Sequence, residues 1–141
     1  MEKPPVGLMI VGQDRLLVEA VVAWLAARPD FRVIDPAGGA ASAAAATAEA
    51  SRGVEVVLID ASRGRDEALA AAWRVGEELP GAKLLVFGLD REDEEVLDFV
   101  EAGALGYLLK GASAADLAAA IHDVHAGRTR CSPQIAAAVL T

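Results

Sequence analysis

Five short apolar runs punctuate the chain, and a longer stretch with a helical period follows each of them. The runs are VGLMIV from Val6, FRVID from Phe31, VEVVLI from Val54, KLLVFG from Lys83 and GYLL from Gly106. Branched apolar runs of this length, bounded by turn residues, fit strands covered on both faces, as in a parallel sheet. The intervening stretches are long enough for four helices, and a fifth follows the last run. Leu17, Val21, Trp24 and Leu25 share one helical face, as do Val96, Phe99 and Val100, and then Leu117, Ile121 and Val124. Trp24 and Trp73 both read as core or interface residues of apolar helix faces.

Start and stop signals agree with this division. Asp14 directly precedes RLLVEAVVAWL and reads as the N-cap of the first helix. Asp90 precedes an acidic turn of Glu92, Asp93 and Glu94, which suits the positive end of a helix dipole. Ser113 and Asp116 have the spacing of a capping box, and Ser132 before Pro133 opens a short last helix. Breaks fall at RPD, LPGA, AG and AGR. Five βα units with short loops predict one α/β domain with a doubly wound parallel sheet of order 2-1-3-4-5 and helices on both faces. In that order a ligand crevice lies beyond the ends of strands one and three. It would gather Gly12, Gln13, Asp14 and Asp60.

Composition narrows the functions available. With 141 residues, 54% hydrophobic and 24% charged, the chain is rich enough in apolar residues for a packed core. Its net charge of −8, with no Lys/Arg cluster, excludes a duplex-binding surface on this chain. The single cysteine, Cys131, permits no internal disulfide and reads as an inert thiol in a reducing compartment. The apolar run in MEKPPVGLMIVGQD is too short for a signal peptide, and AGGAASAAAATAEA is too weakly apolar to hold in lipid. A soluble, cytoplasmic protein with no membrane partner is expected.

The candidate chemistry is sparse. VEVVLI stops on one carboxylate, Asp60, at the strand tip where open α/β sheets place their ligands. Such an aspartate either bonds loop N–H groups or carries ligand chemistry. Arg63 and Arg65, just beyond it, attract an anion to the crevice or simply face solvent. His122 and His125 lack a third ligand for zinc and read as surface residues. VGQDRLL has neither G-x-G-x-x-G nor GK[ST], which weakens a nucleotide- or flavin-binding reading on the same sheet order. No Ser or Cys has a plausible His–acid arrangement, so no enzyme activity is expected. The acidic DREDEE is expected to be solvated, and a basic partner is one reading of it.

The stretches LMIVGQDRLLVEAVVAWLAARPDFRVI, VVLIDASRG and AGALGYLLKGASAADLAAAIHDVHAGRTRCSPQIA resemble the receiver domain of NarL/FixJ-type response regulators, over nearly the whole chain. The resemblance implies a flavodoxin-like, CheY-like fold, with residues 1–128 as receiver. Residues 129–141 would be a helical tail, leading in that family toward a helix-turn-helix domain not contained in this chain. It aligns Asp60 with the phosphoacceptor and Lys110 with the lysine after strand five. Tyr107 takes the place of the switch aromatic, and the Ser62 backbone carbonyl that of a metal ligand. The two acids that help hold Mg²⁺ align with Gly12 and Gln13, and the Thr or Ser that ends strand four aligns with Gly88. The Met-Pro and Gly that usually follow the phosphoacceptor are replaced by ASRGRD.

Those replacements bear on the chemistry. Mg²⁺ is recruited by carboxylates and phosphate, and here Asp60 stands with a neutral amide from Gln13 and, by a one-residue shift of the loop, Asp14. Weak metal binding is expected, with no cofactor unless Asp60 is a working phosphoacceptor that uses Mg²⁺. Without the acids, Asp60 and Lys110 are expected to form a closed ion pair. Asp at positions 12 and 13 and Thr at 88 are expected to restore the site. The leading expectation is an atypical receiver acting as a protein-interaction module in transcriptional control. Its partners would be a sensor kinase, other proteins or a second copy docked through Ala-rich helix faces, and it would reach DNA only through a domain outside this chain. The alternative is a conventional receiver phosphorylated at Asp60.

Overall fold

Strands form where the apolar runs predict them, because each can be covered on both sides. The computed structural model describes residues 3–34, 53–91, 93–128 and 133–140. In it, β1 (Val6–Val11), β2 (Phe31–Val33), β3 (Val56–Asp60), β4 (Lys83–Leu89) and β5 (Ala104–Leu109) alternate with α1 (Arg15–Ala26), α2 (Arg65–Glu78), α3 (Glu94–Glu101) and α4 (Ala114–His125). A last helix, α5, spans Pro133–Leu140. All four pairings are parallel and the order is β2-β1-β3-β4-β5, as the βα alternation predicts. The expected helix between β2 and β3 lies outside the described residues, as do Cys131 and Ser132.

Every residue of β1 and β3 is buried, and alternate side chains feed two cores. On one face, Met9, Val57, Ile59 and Val86 pack with Ala72 and Val75 of α2, Val96 and Phe99 of α3, and Ile135 of α5. On the other, Leu8, Ile10, Leu58 and Leu85 pack with Val18 and Leu25 of α1 and Leu117, Ile121 and Val124 of α4. Fully burying a side chain of this size contributes about 1.5–3 kcal/mol. Among the described residues no helix is long and apolar enough to cross a membrane.

Several local expectations shift. The α1 core face is Val18 and Leu25, whereas Leu17 and Val21 are only half-buried. Trp24 is 36% and Trp73 53% exposed, so neither is a core residue; the apolar stripe on α1 is wider than the sheet can cover. The start of α3 is set by Asp93, whose carboxylate accepts the Glu95 N–H at 2.9 Å, and not by Asp90. Ser113 and Asp116 form both bonds of the capping box at 3.0 Å.

Candidate functional site

The carboxyl ends of β1 and β3 meet as the topology requires. Gly12, Gln13, Asp60 and Arg63, with Glu67 and Arg74 of α2, line a cavity of about 190 Å³. Asp60 is 5% exposed and is the one buried charged residue among those described. Its Oδ1 accepts the Ser62 N–H at 2.8 Å. Its Oδ2 is buried with no hydrogen-bond partner, a costly state for a carboxylate oxygen.

Lys110 does not satisfy that oxygen. The Lys110 N–H donates to the Leu89 carbonyl at 2.7 Å, and its ammonium lies 2.7 Å from Asp90 Oδ1 in a solvent-exposed pair. The expected Asp60–Lys110 pair is therefore replaced by Asp90–Lys110. Both Asp90 and Lys110 stay hydrated there, whereas an ammonium drawn in to Asp60 would lose its water.

Neighbouring groups pack closely against the crevice glycines. A Cβ on Gly12 would lie 2.8 Å from Asp60 Cβ and 2.8 Å from Val18 Cγ2, closer than carbon atoms approach without displacement. Gly88 has φ +83°, and a Cβ there would meet Ser62 Cβ at 3.0 Å. It falls where the β4–β5 register shifts between Val86 and Leu89. Asp at 12 would have to displace Asp60 or Val18, and Thr at 88 would sit in the left-handed region beside Ser62, so both changes strain the surroundings of Asp60.

A divalent cation, which the resemblance implies, can be tested against the donors present. Gln13 is exposed and offers an amide. Asp14 is engaged as the N-cap of α1, accepting the Leu17 N–H at 3.2 Å. Asp60 Oδ2 is the buried, unpartnered carboxylate oxygen there, Glu67 adds a carboxylate from α2 to the cavity lining, and Ser62 contributes its N–H to Asp60 Oδ1. Among the described residues no three His, Cys, Asp or Glu side chains cluster to hold a metal. This set does not fit a site built on paired carboxylates.

Of the other candidates, Arg65 opens α2 and pairs with Asp66 and Asp98, while Arg63 stays exposed on the cavity wall. Tyr107 is half-buried against the α2–α3 core. His122 and His125 are not simple surface residues. His122 Nε2 lies 2.7 Å from Asp30 and its ring stacks on Phe31, and His125 Nε2 lies 2.5 Å from Glu55. These pairs fasten α4 to the opposite end of the sheet. No sequence spacing signals them, since the partners are 92 and 70 residues away.

No protein-family model matches the chain. It is 28% identical over 134 residues to the transcriptional regulatory protein LiaR of Bacillus subtilis, covering 95% of this chain and 63% of LiaR. It is 30% identical over 135 residues to the DNA-binding transcriptional activator DevR/DosR of Mycobacterium tuberculosis, covering 96% of this chain and 61% of that protein. Among solved structures, it matches a two-component response regulator of the LuxR family from Aurantimonas sp. SI85-9A1, with a TM-score of 0.71 and 26% identity. That match covers 94% of this chain and 93% of the other. These homologues are LuxR/NarL-family response regulators, and the chain has the CheY-like fold of receiver domains. This receiver spans a little over three fifths of the length of the two curated relatives. In it Asp60 closes β3, Tyr107 lies within β5 and Lys110 directly follows β5. Around Asp60 the packing against Gly12 and Gly88 is close.

Proposed function

We propose that this receiver acts as an atypical, protein-interacting module of a transcriptional response regulator, relaying its signal without aspartyl phosphate. The observation that carries the reading is the contact at Gly12. With 2.8 Å between its missing Cβ and Asp60, the crevice has no room for the acid that would help a cation offset the charge of the attacking carboxylate and the phosphoryl group. Gly88 offers no hydroxyl to a phosphoryl oxygen. Lys110, the lysine after β5, is engaged by Asp90.

The names of the two curated relatives, a transcriptional regulatory protein and a DNA-binding transcriptional activator, support a role in transcription. The net charge of −8 supports a reading in which DNA is contacted by a domain outside this chain. Residues 1–128 form the receiver in this reading and 129–141 its tail, whose helix α5 seats Ile135 in the receiver core. The partners are proteins, a sensor kinase or a second copy among them, and the compartment is the cytoplasm.

One observation favours the conventional reading. Asp60 Oδ2 is unpartnered and in that sense ready to attack a phosphoryl donor. Labelling with acetyl phosphate in Mg²⁺ decides, with Asp60→Asn as blank. The wild-type chain is expected to incorporate no more phosphate than the blank. Incorporation that Asp60→Asn abolishes would establish a phosphoacceptor receiver.

A further inference from the structure

A second, larger cavity of about 390 Å³ opens on the other face of the sheet, between α1 and the first turn of α4. Its walls are Leu17, Val21 and Trp24 of α1, Phe87 and Leu108 of the strand ends, and Leu117 of α4. This is the half of the α1 apolar stripe that the core leaves uncovered. The volume falls within the roughly 300–1,000 Å³ of small-molecule sites, which are typically apolar with a few placed polar groups. Here those groups are Ser62, Ser113 and Lys110, and Lys110 is the one charged residue among the described lining.

We infer that this cavity binds a small amphipathic monocarboxylate, with its apolar body along Trp24 and its head group on Lys110. Charge complementarity sets the sign of the ligand: one cation on an otherwise uncharged, mostly apolar wall selects one anion. The Lys110 ammonium has three donors, and Asp90 engages it in an exposed pair at 2.7 Å. A ligand carboxylate can therefore share or displace Asp90 without crossing a buried barrier.

The inference deepens the reading above and rests on it for its regulatory meaning, because it names what replaces phosphate as the signal. Asp90 lies in the loop between β4 and α3. Drawing Lys110 toward a ligand loosens the tie between that loop and the turn after β5. A ligand shifts such an equilibrium only through contacts that differ between its states, and the Asp90–Lys110 pair is that contact. Ser62 and Gly88 line the same cavity, so the occupant also touches the loop after Asp60 and the end of β4.

The test uses the full chain carrying Trp73→Phe, so that Trp24 alone reports. Decanoate, below its micelle concentration, is titrated against the Trp24 fluorescence, with decanol and acetate as matched probes. Decanoate should bind saturably, about threefold to fivefold tighter than decanol, as an exposed pair with Lys110 implies, and acetate should not bind. Lys110→Gln should erase the advantage over decanol, and Ala20→Phe, which fills the cavity from the exposed side of α1, should abolish the response while circular dichroism stays native.

Three results overturn the assignment: no saturable response to decanoate, equal affinity for decanol, or an unchanged decanoate affinity in Lys110→Gln. A ligand-free dimer that Ala20→Phe dissociates overturns it as well, since a second copy then fills the cavity. No phosphate donor is present in the titration, so its failure is read separately from phosphate labelling at Asp60.

Discussion

The Lys110 ammonium sits 2.7 Å from Asp90 Oδ1, so the cation at the end of β5 is held by the loop after β4 and not by Asp60 at the end of β3. The side chains of Lys110 and Asp90 are 49% and 67% exposed, and exposed pairs contribute roughly 0–1 kcal/mol. Asp90→Asn is therefore expected to change the unfolding free energy in urea by less than about 1 kcal/mol. Lys110→Gln should do the same, with a small coupling energy in the double-mutant cycle. A loss of about 3–5 kcal/mol for Lys110→Gln, the signature of a broken buried pair, would show that Lys110 had moved to Asp60.

Restoring the side chains of a typical receiver should weaken this one. Gly12→Asp forces Asp60 or Val18 aside and is expected to cost about 1–3 kcal/mol, as overpacking does. Gly88→Thr places a β-branched residue at φ +83°, at a cost of about 1–3 kcal/mol. Urea unfolding with and without MgCl₂ checks both. Neither variant should recover its loss in Mg²⁺. Gln13→Asp, on an exposed loop position, should be nearly neutral. A Gly12→Asp variant that is as stable as wild type and further stabilised by Mg²⁺ would show that the crevice opens.

Acid should loosen the opposite end of the molecule first. Asp30 is held well below the usual carboxylate range, chiefly by the Arg28 guanidinium, which donates two hydrogen bonds at 2.9 Å, and also by His122. Burial pushes the Glu55 carboxyl up, but the His125 hydrogen bond and the Gly7 N–H outweigh it, and the net shift is downward. A depressed folded-state value gives stability that is fully present above the unfolded carboxylate value, near pH 4, and is lost as pH falls below it. Acid unfolding followed by circular dichroism should show this loss below about pH 4. Asp30→Asn should flatten the curve there while lowering stability at neutral pH.

The capping box at α4 gives a local test. Ser113→Ala removes the oxygen that accepts the Asp116 N–H at 3.0 Å, and loss of such a cap costs about 1 kcal/mol. Thermal melting should show this loss. Ser113 also lines the larger cavity, yet decanoate should still bind, because Lys110 and the apolar wall remain.

Much of this protein was legible without coordinates. The alternation of apolar runs with helical periods determined the strands, because a parallel strand buried on both faces must be apolar throughout. Short right-handed connections then left few sheet orders to choose from, and β2-β1-β3-β4-β5 followed. Asp14, Ser113 and Asp116 declared themselves as caps because capping is local, between residues three apart. Asp60 was readable as the strand-end carboxylate for the same reason: a polar residue closing an apolar strand has few places to go.

What only the tertiary structure decided are the relationships between residues distant in sequence. Whether Lys110 reaches Asp60 or Asp90 depends on how the β4–β5 register bulges near Gly88 and on which carboxylate keeps its water, and neither is written in the order of residues. Gly12 read as a missing ligand; only the contact of its would-be Cβ with Asp60 and Val18 makes it a packing requirement. Trp24 fitted an apolar helix face by period, but the width of that face relative to the sheet left it at the mouth of a cavity. Sequence determines which residues prefer to be buried, because transfer from water is a property of each side chain alone. Which buried groups find partners depends on positions in space, which the packed fold alone sets.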